Sequence, residues 1–263
     1  MTYSYKGYTV PDKEDIKIPN TNTDKIPLGP GGYTEYNGER IHNIVAAIHN
    51  RMAEGLSPLV LITGESQMGK TWTALRIAYE LYNITNACHG TFNARNILYN
   101  EEEALSSMTT LFNEEEEKPA IKQVLIGDEL GEQANAGRHN STQNKAWKMI
   151  LNVMPLLKNC IIGIDPKSDR IDKKIRESPN YRIWMTDVGV CKGIGRRYVK
   201  AEKDGGDIWS TDYFNSWSVS KPPKSYRDFW KPKEVGYKLS APIDYLKKLE
   251  EEDKGSSVSF SDF

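Results

Sequence analysis

An apolar run, Pro58-Leu-Val-Leu-Ile-Thr63, leads straight into Gly64-Glu-Ser-Gln-Met-Gly69-Lys70-Thr71. No other segment constrains the fold as tightly. A continuous apolar run without alternation marks a strand covered on both faces, which is the environment of a parallel sheet. Beyond the loop, Ala74, Leu75, Ala78 and Leu81 recur at helical spacing, so a helix is expected from Lys70 to about Tyr82. Between strand and helix the spacing is G-x-x-x-x-G-K-[ST]. Its glycines let the backbone wrap closely around phosphates, while successive N–H groups and the helix N-terminus supply positive potential. Lys70 is expected to neutralise the β- and γ-phosphates of ATP, and Thr71 to ligate Mg²⁺. A chance match in a chain of this length is roughly a one-in-a-hundred event from average residue frequencies. The expected nucleotide-binding set is Gly64, Glu65, Ser66, Gln67, Met68, Gly69, Lys70, Thr71 and Trp72.

A second segment completes the site. Gln123-Val-Leu-Ile-Gly-Asp128-Glu129 reads as another buried strand ending in two adjacent acids. Asp128 is expected to hold Mg²⁺ through water. Glu129 is placed to orient and deprotonate an attacking water. An apolar run ending in Asp is by itself a common strand end. Paired with the loop at 64–71, and with room for one β–α unit between them, it points to an ATP hydrolase. It argues against a timing GTPase or a small-molecule kinase, and no arginine-rich lid is evident.

Around this centre the chain alternates strands and helices, which indicates an α/β domain with a mostly parallel sheet. Residues 1–38, rich in Pro, Asn, Thr and Gly, read as an extended arm, either wrapped on its own domain or reaching a neighbouring subunit. The core domain is expected over 39–220. Ile41, Ile44, Val45, Ile48 and Met52 suggest a helix over Glu39–Ala53, stopped by Gly55. A strand is expected at Asn96–Tyr99, then a helix capped by Asn100 and Glu103 and carrying Leu105, Met108 and Phe112. Glu114–Glu117 reads as an acidic loop. A helix over Asn144–Leu157 should bend or end at Pro155. Strands follow at Cys160–Ile164 and Tyr181–Met185, separated by a short helix with Ile171 and Ile175. Lys203-Asp-Gly-Gly206 signals a C-terminal β-hairpin. From 221 to 263 a proline-bearing tail is expected, with a short helix near Ile243–Leu249 and a disordered Ser-rich end.

Composition narrows the setting. The net charge is −1, so any nucleic-acid surface must be a local patch. Cys88, Cys160 and Cys191 have no metal-ligand spacing and suit reduced thiols in a cytoplasm, the host's if the chain is viral. The N-terminal residues lack the apolar core of a signal peptide, and no apolar run approaches the roughly 20 residues of a membrane span. No membrane partner is expected.

The segments GESQMGKT, NILYNEEEAL, VLIGDELG, QNKAWKMILNVMPLLKN and IIGIDPKSDRIDKKIRE resemble the HerA–FtsK class of P-loop ATPases over roughly residues 40–220. More narrowly they are similar to its archaeal and viral genome-packaging and Zot-like branch. The resemblance implies a RecA-like (ASCE) P-loop fold and a homo-oligomeric ring, expected to be a homohexamer. It also implies ATP hydrolysis between subunits and translocation of double-stranded DNA through the pore. The alternative is a Zot-like morphogenesis or partner-remodelling protein that does not move DNA. Members often carry a polar sensor, commonly Gln, at the end of the strand after the Asp-Glu strand. Here Asp165-Pro166 stands there, with Asp165 or Lys167 as substitutes.

A ring ATPase needs a cation at the developing γ-phosphate charge, usually an arginine from the neighbour. Arg176 is the first choice and Arg138 the second, with Arg170 as a further candidate; each also reads as an ordinary surface ion-pair residue. Contacts with duplex DNA should fall on phosphates. Lys167, Arg170, Lys173 and Lys174 form one basic cluster; Lys192, Arg196, Arg197, Lys200 and Lys203 form another. The loop 131–142, with Arg138 and His139, is equally suited to line a pore.

Overall fold

The computed structural model describes residues 4–5, 8–9, 21–108, 121–135, 137, 141–200 and 207–238. Its elements follow the sequence in the order β1 (Ser4–Tyr5), β2 (Tyr8–Thr9), β3 (Tyr33–Tyr36), β4 (Glu39–His42), α1 (Asn43–Ala53), β5 (Leu59–Thr63) and α2 (Lys70–Tyr79). Then come β6 (Ile97–Leu98), α3 (Glu101–Met108), β7 (Val124–Gly127), α4 (Leu130–Gln133), α5 (Thr142–Leu157) and β8 (Cys160–Asp165). The chain continues through α6 (Lys173–Glu177), β9 (Tyr181–Asp187), β10 (Val190–Lys200) and β11 (Asp207–Ser218). A last helix, α7, spans 224–238.

Seven strands form one sheet in the order β11-β10-β9-β5-β8-β7-β6. The pairs from β9 through β6 are parallel, and β9-β10-β11 run antiparallel. Alternation along each strand splits the core between two faces. Val60 and Ile62 of β5 join α1 and α2 in one apolar cluster, whereas Leu59 and Leu61 join α3, α5 and α6 in the other. The result is an α/β sandwich with helices on both faces of a mostly parallel sheet. Because Thr63 pairs with Asp165 and Gly127 with Gly163, the carboxyl ends of β5, β8 and β7 share one edge. Open α/β sheets bind ligands at that edge. Gly163 also lets the other face approach closely: a Cβ there would stand 2.6 Å from Leu130 Cδ2.

The expected helix over Glu39–Ala53 is corrected at its start. Glu39–His42 is strand, and the helix begins at Asn43. Asn37 (φ 52°) and Gly38 (φ 78°) occupy the left-handed region between β3 and β4, the conformation of an Asn-Gly hairpin turn. That turn places Ile41 on a strand, and its apolar side chain merely falls in phase with the helix after it. His42 caps α1: its Nδ1 accepts from Ile44 N at 3.2 Å, which requires the neutral ring. The ring stacks on Trp217 at 3.9 Å, and burial lowers its pKa to about 4. A group depressed below its unfolded value near 6.5 contributes stability that is fully present above that pH. Unfolding free energy should therefore fall as pH drops from 6.5 toward 4, by on the order of 3 kcal/mol. Urea titrations of wild type and His42→Asn across that window check it, the variant losing this part of the pH dependence.

The described part of the arm lies on its own domain. Ile26 is buried with Asn50 bonding its backbone N–H and C=O, and Asn22 donates to Thr85 O at 3.0 Å. Asn100 Oδ1 accepts from Glu103 N, and Glu103 reaches back to Tyr99 N, giving α3 the expected polar start. Pro155 does not end α5, which runs on to Leu157 before Lys158 turns left-handed. The segment after Lys221 departs most from expectation. Residues 224–238, where prolines marked a tail, are helical, and Tyr226 N and Arg227 N bond back to Pro223 O. The short helix expected near 243–249, the acidic run 114–117 and Phe112 fall outside the described residues.

Candidate active site

Gly64 adopts φ 145° and passes so close to β9 that a Cβ would lie 2.7 Å from Met185 Cβ. Gln67 (φ 66°) and Gly69 (φ 91°) also take left-handed backbone, and Gly69 caps α2. The loop is therefore folded by its glycines into a tight wrap around the N-terminus of α2, whose first residues line a cavity. Gly189 N, on the β9–β10 turn, donates to Met68 O at 3.0 Å and pins the loop from the side. Lys70 Nζ curls back across it, donating to Gly64 O at 2.8 Å and Glu65 O at 2.7 Å. Its ammonium is spent on two carbonyls at the place where an anion would otherwise be met.

The cavity at this edge has a volume of about 730 Å³. Ser66, Gln67, Gly69, Lys70, Thr71 and Trp72 line one side, and Asp128 and Glu129 line another. One strand, β8, separates the loop's strand from the strand of the acids. That spacing brings the two acids to the same edge of the sheet as the loop, with Asp128 next to the start of α2. Thr71 Oγ1 lies 3.4 Å from Asp128 Oδ2, so the hydroxyl and carboxylate expected at a magnesium ion meet each other directly. Among the described residues, no cluster of three or more His, Cys, Asp or Glu could hold a metal unaided. A hydroxyl plus one carboxylate suits magnesium, which keeps several waters and takes substrate phosphates as its remaining ligands. The residues present fit Mg²⁺ and a nucleoside triphosphate.

Electrostatics support the same division of labour. Asp128 is 6% exposed, and burial raises its pKa to about 6, with Glu129 adding to the rise. Burial also lowers Lys70, against the pull of Asp128, Asp165 and Glu129. A desolvated cation and a desolvated carboxylate facing one cavity gain most from opposite charges entering it. Glu129 sits at φ 55°, the left-handed residue preceding α4, which turns it out of the strand direction toward the cavity.

The remaining expected residues are distributed as follows. Asp165 is fully buried, accepting from Gly131 N at 2.5 Å and Lys167 N at 2.9 Å. It fastens the start of α4 to the end of β8. Arg176 lies on α6, whose Ile175 belongs to the cluster on the sheet face opposite α2, and it does not line the cavity. Arg170 is paired with Glu132 at 3.7 Å. Arg138 and His139 lie outside the described residues, as does Lys203. The three cysteines are free and buried. Among the described residues, no helix is long and apolar enough to cross a membrane.

Sequence reasoning missed the wall supplied by α7. Trp230, Glu234 and Lys238 line the cavity, with Val219, Ser220 and Lys221 just before the helix. Trp230 Nε1 lies 3.4 Å from Asp128 Oδ2, and Lys238 Nζ lies 3.7 Å from Glu129 Oε1. The signal was present: Tyr226, Trp230 and Tyr237 fall on one helical face, interrupted by Pro232.

No protein-family model matches the chain, and no curated protein matches it. Among solved structures it is similar to the N-terminal domain of zonular occludens toxin from Neisseria meningitidis. That likeness has 15% identity and a TM-score of 0.38, and covers 67% of this chain and 100% of that one.

Proposed function

We propose that the chain is a Mg²⁺-dependent P-loop ATPase of the RecA-like kind. The observation that carries this reading is the convergence of the 64–71 loop and the Asp128-Glu129 pair on one cavity, with a single strand between their own strands. In this reading the loop amides and Lys70 bind the phosphates, and Thr71 and Asp128 hold the magnesium. Glu129 takes the proton of the water that attacks the γ-phosphate. Magnesium supplies charge neutralisation between the phosphate oxygens.

The finer proposal couples hydrolysis to duplex DNA, as in a HerA–FtsK-class packaging motor working as a ring. Its support is the sequence resemblance together with the basic residues placed after β8 and along β10. Arg176, being outside the cavity of its own subunit, is available to complete a neighbour's site. The test is ATP turnover with and without duplex DNA, at two salt concentrations. Stimulation that fades with salt is expected, because phosphate contacts release counterions. Turnover indifferent to DNA would refute the motor and leave a hydrolase that serves a protein partner.

A further inference from the structure

Helix α7 is held at its two ends in different ways. At its start Tyr226 is buried, stacks on Phe92 at 4.7 Å, and receives a hydrogen bond from Asn83 at 2.7 Å. Its later residues reach the catalytic edge through Lys233, Tyr237 and Lys238. Lys233 bonds Ala94 O at 3.2 Å and Ile97 O and pairs with Glu103 at 3.1 Å, and Tyr237 stacks on Tyr99 at 4.7 Å. Lys238 lies 2.5 Å from Glu234 and 3.7 Å from Glu129. Pro232 sits between these halves and cannot donate a backbone hydrogen bond to residue 228, so the ladder is weakest there.

What α7 touches matters most. The Trp230 N–H and the Thr71 hydroxyl both address Oδ2 of Asp128, an oxygen that a magnesium-bound water would need. Lys238 places an ammonium at Glu129, the group that must stay a free acceptor for a water proton. A helix that satisfies both carboxylates with its own donors competes with the metal and the water for them.

The geometry points to α7 as an inhibitory strap: its 231–238 half restrains turnover by holding Glu129 through Lys238, with Trp230 at the hinge on Asp128, and hydrolysis requires that half to swing away about Pro232 while Tyr226 stays anchored. This rests on the ATPase reading above and assigns it a built-in restraint. Both groups involved are within one chain, so the restraint needs no neighbour. A ligand or partner activates by binding the released form better than the strapped one.

The test compares wild type with Lys238→Met, which keeps the aliphatic stem, and Trp230→Phe, which keeps the ring packing. Steady-state ATP turnover and affinity for a fluorescent ATP analogue are measured on the same samples. Lys238→Met should turn over about two- to fivefold faster, the range expected for releasing a partly exposed ion pair. Trp230→Phe, which removes one long hydrogen bond to Asp128, should also turn over faster than wild type. Affinity should be no weaker than wild type. Slower turnover with intact binding would make Lys238 a cation that helps hydrolysis and would overturn the strap alone, as would unchanged turnover. Absence of nucleotide binding in every form would refute the ATPase reading and the strap together. Hydrogen exchange on wild type supplies a readout free of mutation. Adding Mg²⁺ and a slowly hydrolysed ATP analogue should speed exchange over 231–238 relative to 224–230. Added protection over 231–238 would mean that the helix closes on nucleotide, and would overturn the strap.

Discussion

Replacing Glu129 by Gln should lower Mg²⁺-dependent ATP hydrolysis by about 10²–10⁴-fold, the usual contribution of a positioned general base. Nucleotide binding should persist. The amide is nearly isosteric and leaves the loop, Lys70 and Asp128 in place, but it cannot accept and keep a proton from water at neutral pH. It also removes one charge from a cavity where Lys238 already faces position 129, so binding is not expected to weaken for electrostatic reasons. Single-turnover hydrolysis alongside equilibrium binding separates the two effects. Hydrolysis within a few-fold of wild type would remove Glu129 from its role, and another group would have to receive the proton.

Lys70→Ala should act on the other half of the cycle. In the structure Lys70 Nζ bonds two loop carbonyls, Gly64 O and Glu65 O, with burial already lowering its pKa. Exchanging those carbonyls for phosphate oxygens brings charge-assisted hydrogen bonds in a desolvated pocket. Hydrogen bonds to charged groups contribute about 1.5–3 kcal/mol. The variant should therefore bind ATP about 10- to 150-fold more weakly and hydrolyse it poorly at any attainable concentration. The fold should survive, because Lys70 bonds only backbone within its own loop and lies outside the apolar clusters. Calorimetric titration and a thermal melt, run together, distinguish a lost ligand contact from lost structure. Turnover equal to wild type would refute the site.

How much of this was legible in the sequence depends on the range of the interaction concerned. The 64–71 loop and its flanking strand and helix were legible because glycine conformation and helix start are decided within a few residues. Asp128 and Glu129 were legible as a strand end. Their position at the loop's edge of the sheet, however, depends on β8 pairing with both β5 and β7, a long-range fact. The β3–β4 hairpin carried a local signal in Asn37-Gly38, but Ile41 happens to fall in phase with α1 and the helical period absorbed it. Asp165 shows the limit most plainly. At a strand end beside the site it reads as a sensor, yet both its oxygens accept backbone N–H groups and it stabilises a turn. Nothing in the neighbouring sequence distinguishes those two fates. Helix α7 was hidden by Pro222, Pro223 and Pro232. Pro223 precedes the helix, where a missing N–H costs little, and Pro232 is tolerated inside because Trp230, Lys233 and Tyr237 fasten both flanks to the domain.

The central claim is that the 64–71 loop and the two acids act on the same nucleotide. A crystal or cryo-EM structure of the Glu129→Gln protein with Mg²⁺ and ATP tests it most directly. The account predicts phosphates wrapped by the amides of 64–71, Lys70 turned from Gly64 O onto them, and a magnesium ion beside Thr71 with Asp128 behind its waters. Nucleotide bound elsewhere, or triphosphate in the loop with Asp128 and position 129 facing away from it, would contradict the account.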